Sequence, residues 1–116
     1  MDRVVRAFPI LEGKEARIRE LAQEIKSRRL AEAGNFYRRH GATHESWHLQ
    51  ETPAGLWLIG VTELGATSPA AAGASYARSH EPYDTWLKGQ IKDITGVDPD
   101  RVPLGPPTEC IFDWSG

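Results

Sequence analysis

The sequence predicts an α+β domain with the element order βαββαβ. Three observations lead there. Two stretches with strand character flank a Thr52-Pro53-Ala54-Gly55 turn, two others carry helical spacing, and short β-branched or aromatic runs open and close the chain. At 116 residues the chain fits one domain, 1–116, able to bury about two-thirds of its unfolded surface.

Each element has its own signal. Arg3 to Phe8 is short, β-branched and stopped by Pro9, which predicts a strand. From Glu12 to about His40 the spacing is helical, with Ile18, Leu21, Ala22 and Ile25 on one face. Arg38, Arg39 and His40 suit the negative end of the helix dipole, and Gly41 suits the C′ position. Gly34 is a point where this helix bends or breaks. Thr43 to Glu51 alternates, with Glu45, Trp47 and Leu49 on one face and His44, Ser46, His48 and Gln50 on the other. Leu56 to Glu63 is apolar on both faces and completes a hairpin that places His48 opposite Ile59 and His44 opposite Glu63. Ser68-Pro69 opens a small-residue helix to Ser79. A second helix runs from Tyr83 to Thr95 and ends at Gly96. After a proline-rich loop, Cys110 to Trp114 reads as the last strand, with Cys110 a small core residue.

This order is the split βαβ, or ferredoxin-like, arrangement: a four-stranded antiparallel sheet with helices on one face. The other face needs a cover, and a second copy of the chain is the economical one, so a homodimer through the sheet face is expected.

Composition narrows the function. Charged residues make up 26% and hydrophobic residues 40%, with a net charge of −2 and both signs interspersed. Neither a nucleic-acid surface nor a membrane is an expected partner, and no stretch approaches the length of a membrane span. Arg28-Arg29 and Arg38-Arg39-His40 are flanked by acidic residues and read as solvated faces or helix ends. The single cysteine rules out an internal disulfide, and the opening residues lack the apolar core of a secretion signal. The cytoplasm is the expected location.

His44-Glu45-Ser46-Trp47-His48 matches H-E-x-x-H, the zinc metalloprotease pattern. On a helix the two histidines stand about 6 Å apart and grip one zinc ion. On a strand they are separated by roughly 13 Å and cannot. The unbroken alternation through Glu51 favours the strand. A zinc hydrolase is therefore a remote alternative, and no metal and no organic cofactor is expected.

The richest chemical tract is Ser79-His80-Glu81-Pro82-Tyr83-Asp84-Thr85-Trp86. An imidazole beside carboxylates can act as a general base with a fixed tautomer. Here His80 is the candidate base, Asp84 or Glu81 its orienter, and Tyr83 a phenol donor to a developing oxyanion. The structural alternative has His80 capping a helix and Trp86 in the core. His48 is a second candidate polar partner of a substrate, or a hydrogen-bonded core residue. Trp47, Trp57, Trp86 and Trp114 are core, interface or pocket-wall residues. Arg6, odd inside a strand, pairs with Glu63 or Asp113, or binds an acidic ligand.

Several tracts together resemble a known family: Val4-Val5-Arg6-Ala7-Phe8, Gly13-Lys14-Glu15, Glu45-x-Trp47-x-Leu49-Gln50-Glu51-Thr52-Pro53, His80-x-Pro82-x-Asp84-x-Trp86 and Phe112-Asp113-Trp114. The chain resembles small bacterial proteins of unknown function in the dimeric α/β-barrel superfamily. That superfamily includes antibiotic-biosynthesis monooxygenases, EthD-like proteins, muconolactone isomerases, rhamnose mutarotases and stress-responsive barrel proteins. The resemblance implies a dimeric barrel, a strand at 43–51 and, as in many of those enzymes, no cofactor. In several branches a histidine near the second helical segment lies by the pocket, and His80 resembles it. A shared fold does not transfer a reaction.

Two functions from different classes follow. One is an enzyme acting on a small molecule by general acid/base chemistry (isomerisation, cyclisation or cofactor-free oxidation) in a pocket between sheet and helices. Its catalytic residues are His80, Asp84, Tyr83 and His48, and its substrate-binding residues Trp47, Trp57, Trp86 and Arg6. The other is a non-catalytic dimeric module that binds a metabolite or regulates a neighbour.

Overall fold

The computed structural model describes residues 2–116. Three strands and four helices follow one another: β1 (Asp2–Pro9), α1 (Glu15–Ser27), α2 (Leu30–Arg39), β2 (Ala42–Thr52), β3 (Gly55–Leu64), α3 (Pro69–Arg78) and α4 (Pro82–Thr95). The sheet is antiparallel with order β1-β3-β2. The α+β class and the hairpin are as the sequence predicts, and so are two pairings, His48 with Ile59 and His44 with Glu63. A bulge between Ala42 and His44 absorbs one residue at the start of β2.

The helical stretch before β2 is two helices, and the break falls at Arg28-Arg29 rather than at Gly34. Ser27 Oγ donates to the Gln23 carbonyl, and Glu24 accepts from both Arg28 and Arg29. The Arg29 guanidinium also lies 3.9 Å from the centre of the Trp86 ring. These contacts end α1 and turn the chain towards α4, so that α2 buries Ala33 and Phe36. Ser68 caps α3 through the Ala71 amide, and Pro69 and Pro82 open their helices. Gly96 ends α4 at φ +76°, and Gly41 follows α2 at φ +82°.

One face of the sheet carries the core. Leu56 and Leu58 of β3 pack with Ile10, Ile18, Leu21, Phe36, Leu87, Ile91 and Ile94, while Val4, Leu64 and Ala72 form a smaller cluster. Strand alternation sends Trp57, Ile59, Val61 and Glu63 to the opposite face. They are partly exposed there and belong to neither cluster.

Residues 110–114 form no strand among the described residues. The closing segment touches the free edge of β1 through an antiparallel bridge from Pro107 to Arg6 and a 2.6 Å hydrogen bond from Thr108 Oγ1 to the Val5 carbonyl. It then leaves the sheet, with Ile111, Phe112 and Trp114 exposed at 87%, 82% and 76%. Cys110 is exposed too, not the core residue expected. No described helix is long and apolar enough to cross a membrane.

Candidate functional site

A cavity of about 120 Å³ lies between the helix-facing side of the sheet and helices α2, α3 and α4. Its shape follows from strand register. Gly60 at the middle of β3 pairs with Arg6 on one side and Trp47 on the other. Without a side chain at Gly60, the floor between those two residues is open. A Cβ there would sit 3.9 Å from Glu45 Oε2 and 4.0 Å from the Phe8 ring. Two positions along, Thr62 stands opposite Glu45. Phe8, Leu58, Phe36, Tyr37, His40, Tyr76, Leu87 and Ile91 complete most of the wall, with Pro99, Pro103 and Leu104 from the loop after α4. Gly105 holds that loop close to Phe8. It has φ +93°, and a Cβ on it would overlap the Phe8 ring.

Glu45 and Arg6 both line this apolar chamber. The Glu45 carboxylate accepts hydrogen bonds from Trp47 Nε1 at 2.9 Å and from Thr62 Oγ1 at 2.5 Å. Burial pushes it up to about 7, and the bonds from Thr62 and Trp47 only partly oppose that rise. Arg6 points inward from β1. Its Nη1 donates to the neighbouring Val5 carbonyl at 3.1 Å, while its buried Nε has no partner. Burial lowers its pKa, though a guanidinium stays charged. The ion pairs expected with Glu63 or Asp113 are not formed. Glu63 faces the other side of the sheet, and Asp113 lies on the exposed closing segment. A carboxyl poised near neutrality and a cation without a counter-ion are the materials for moving a proton beside a developing negative charge.

Behind His40 lies a buried polar network. Asp84, 0% exposed, accepts two bonds from Arg39, at 2.7 and 2.8 Å, and one from Ser79 Oγ at 2.6 Å. His40 Nε2 is 2.8 Å from the same carboxylate, and its Nδ1 is 2.7 Å from Ser75 Oγ. Burial pushes Asp84 up, but the bonds from Arg39, Ser79 and His40 outweigh it and hold the group at about 2. Asp84 is therefore an acceptor, which puts the Nε2 proton on His40 and, in the neutral ring, leaves Nδ1 to accept from Ser75. Ser75, His40 and Asp84 thus align as a hydrogen-bonded row. Ser75 is in the interior of α3, where its amide serves the helix, so the row ties α2, α3 and α4 together without an oxyanion site of its own.

The residues singled out from sequence divide sharply. Arg6 and Trp47 line the cavity. Asp84 is buried beside it, and the imidazole it orients is His40, not His80. His80 is exposed in the joint between α3 and α4 and does not line the cavity. Tyr83 is buried between α2 and α4 with its hydroxyl unpartnered, and burial raises that phenol to about 12. Trp86 packs under Arg29, Trp57 lies on the outer sheet face, and Trp114 is exposed. His48 is exposed on the outer face, 3.0 Å from Ser46 Oγ. The H-E-x-x-H tract lies wholly within β2, so strand geometry separates its two histidines and turns Glu45 to the opposite side, into the cavity. Glu45, Gly60 and His40 went unrecognised as site residues. A lone glycine in an otherwise bulky central strand was the available signal, because such a position marks close approach by a ligand or another chain.

No protein-family model matches the chain, and neither a curated protein nor a solved structure shows significant similarity to it.

Proposed function

We propose that the protein is a small-molecule enzyme working by general acid/base chemistry without a metal, with its site in the cavity between sheet and helices. The observation that carries this reading is the placement of Glu45 and an unpaired Arg6 in one apolar chamber opened by Gly60. Glu45 takes a proton from carbon next to a carbonyl or ring and returns it at another position. Arg6 stabilises the negative charge formed in between. Isomerisation and cyclisation need no more than this, and oxidation of an activated substrate would add dioxygen.

The test is solvent exchange. A panel of small aromatic and aliphatic carbonyl compounds is incubated with the protein in D₂O and followed by proton NMR. Wild-type protein should exchange C–H protons of at least one compound. Glu45→Gln should lose that activity by about 10²-fold or more, and His80→Ala should keep it. Exchange unaffected by Glu45→Gln, or absent across the panel, removes the catalytic reading.

One observation favours the rival, a non-catalytic binding module. Both Glu45 oxygens already accept a hydrogen bond, as they would in a purely structural role. Each oxygen keeps a second lone-pair direction, however, so the bonds position the group without occupying it.

The finer architecture belongs to the same proposal. The free edge of β1 and the antiparallel bridge at Pro107 favour Cys110 to Trp114 adding there as a fourth strand, giving the ferredoxin-like order. The apolar outer face at Trp57, Ile59 and Val61 favours a homodimer through that face, as the resemblance to dimeric α/β barrels implies. A free exposed thiol at Cys110 suits the reducing cytoplasm.

A further inference from the structure

We propose that the cavity takes a compact monocarboxylic acid with an apolar body, its carboxylate on Arg6 and its body in the space above Gly60. The inference rests on the reading of this cavity as the working site. It adds what the chamber selects.

The charge inventory is short. Arg6 comes from β1 and Glu45 from β2, while β3 contributes only Gly60 and Thr62 among the cavity's polar or small positions. From α2 comes Tyr37 and from its C-terminal cap His40, from α3 Tyr76, and from α4 only Leu87 and Ile91. Burial raises both Tyr37 and Tyr76, so they stay neutral. His40 is engaged with Asp84 and Ser75. The chamber therefore holds one fixed positive charge, one carboxyl that is charged or neutral according to pH, and the His40 imidazole, whose two nitrogens are taken up by Asp84 and Ser75.

That inventory sets the ligand's charge. The indole N–H of Trp47 and the hydroxyl of Thr62 are already given to Glu45, so Arg6 is the remaining strong donor. A single guanidinium edge matches one carboxylate, and with no second Lys or Arg in the lining a doubly charged phosphate would stay half compensated. Arg6 is partly buried, and its Nε is shut from solvent without a partner, a position an incoming carboxylate oxygen would satisfy. The walls set the rest. They are mostly apolar, and the pocket of about 120 Å³ is open to solvent on one side, unlike the closed ~150 Å³ cavity that accepts benzene, so a ring can lie in it with part of the ligand at the mouth. One six-membered ring or a branched chain is the size that fits.

The same inventory couples binding to a proton. With Glu45 ionised, the charges of Arg6 and Glu45 cancel over the chamber as a whole and an anion gains little there. With Glu45 protonated, the chamber carries a net positive charge. Anion binding should draw a proton onto Glu45 and weaken as pH rises through the titration of that group, so in the complex Glu45 starts as the acid that gives a proton to the ligand and, once ionised, takes one back from another position.

Isothermal titration with benzoate and its neutral isostere benzamide, at pH 6 and pH 8, tests this. Wild-type protein should bind benzoate at least about tenfold tighter than benzamide at pH 6, and the gap should shrink at pH 8. Arg6→Met should lose the preference and keep benzamide, Arg6→Lys should recover part of it, and Gly60→Val should lose both ligands. Equal affinity for the two ligands in wild-type protein overturns the carboxylate subsite, and so does a preference that survives in Arg6→Met. The cavity reading still stands if benzamide binds and Gly60→Val removes it. Binding of neither ligand overturns both.

Discussion

At the scale of single residues, two carboxyl groups sit in opposite environments. Glu45 has few donors and an apolar surround, so burial prevails and its titration moves up to about 7. A raised folded-state value means that the folded protein holds a proton the unfolded chain releases. The associated stability is full below the ordinary glutamate range and is lost as pH rises through 7. The shift from 4.5 corresponds to at most about 3 kcal/mol. Glu45→Gln, which cannot ionise, should therefore gain stability relative to wild type between pH 5 and pH 8. Urea unfolding at the two pH values measures the change, and a constant difference between the proteins would count against it. Asp84 has the opposite balance, with donors from Arg39, His40 and Ser79 prevailing over burial. Its contribution is present above the ordinary aspartate range and is lost as pH falls towards 2. Asp84→Ala leaves three donors facing a void and should cost about 3 kcal/mol or more in the same assay. Arg6 and Trp47 were legible as site residues because an arginine inside a strand and a tryptophan on an alternating face are both conspicuous. Glu45 was not, because in the sequence it belongs to a metal pattern whose meaning depends on whether the backbone is helix or strand.

At the scale of elements, the β2–β3 hairpin does the positioning. Its register stacks Glu45 against Thr62 and Trp47 against Gly60, and the turn at 52–55 with the alternation of β2 was enough to read that register from sequence through His48 opposite Ile59 and His44 opposite Glu63. The break between α1 and α2 was not readable. It depends on Glu24 holding two arginines and on Arg29 reaching Trp86 of α4, a contact across 57 positions of chain that local spacing does not encode. Gly60 supplies the prediction at this scale. It has ordinary φ and its Cβ position is free of close contact, so Gly60→Ala should fold normally. Gly60→Val should also fold, with stability within about 1 kcal/mol of wild type given its strand propensity, yet fill the floor of the cavity. Loss of ligand binding with an unchanged thermal transition is the expected result. A Gly60→Val protein that binds as wild type does would put the ligand elsewhere.

At the scale of the whole molecule, the proposed dimer gives the apolar outer face a reason. Trp57, Ile59 and Val61 lie together on the side of the sheet that the helices leave bare, and the apolar residues of 111–114 are more exposed still. Sedimentation velocity should show a dimer at micromolar concentration. Ile59→Lys should shift it to monomer while leaving the helix-side core intact, and a monomeric wild type would refute the sheet-face association. The expected last strand is where the sequence misleads: Cys110 to Trp114 has strand composition but is not a strand, and the bonds and bridge to β1 come from Pro106, Pro107 and Thr108. The central claim, that the cavity holds a carboxyl poised to move a proton, does not depend on the oligomer. Its most direct measurement is the ¹³C carboxyl titration of Glu45 by NMR, with the resonance assigned by its disappearance in Glu45→Gln. The account predicts a midpoint near 7. A midpoint at the ordinary glutamate value, about 4.3, would mean that the carboxyl is solvated and that the cavity is not the acid/base site described.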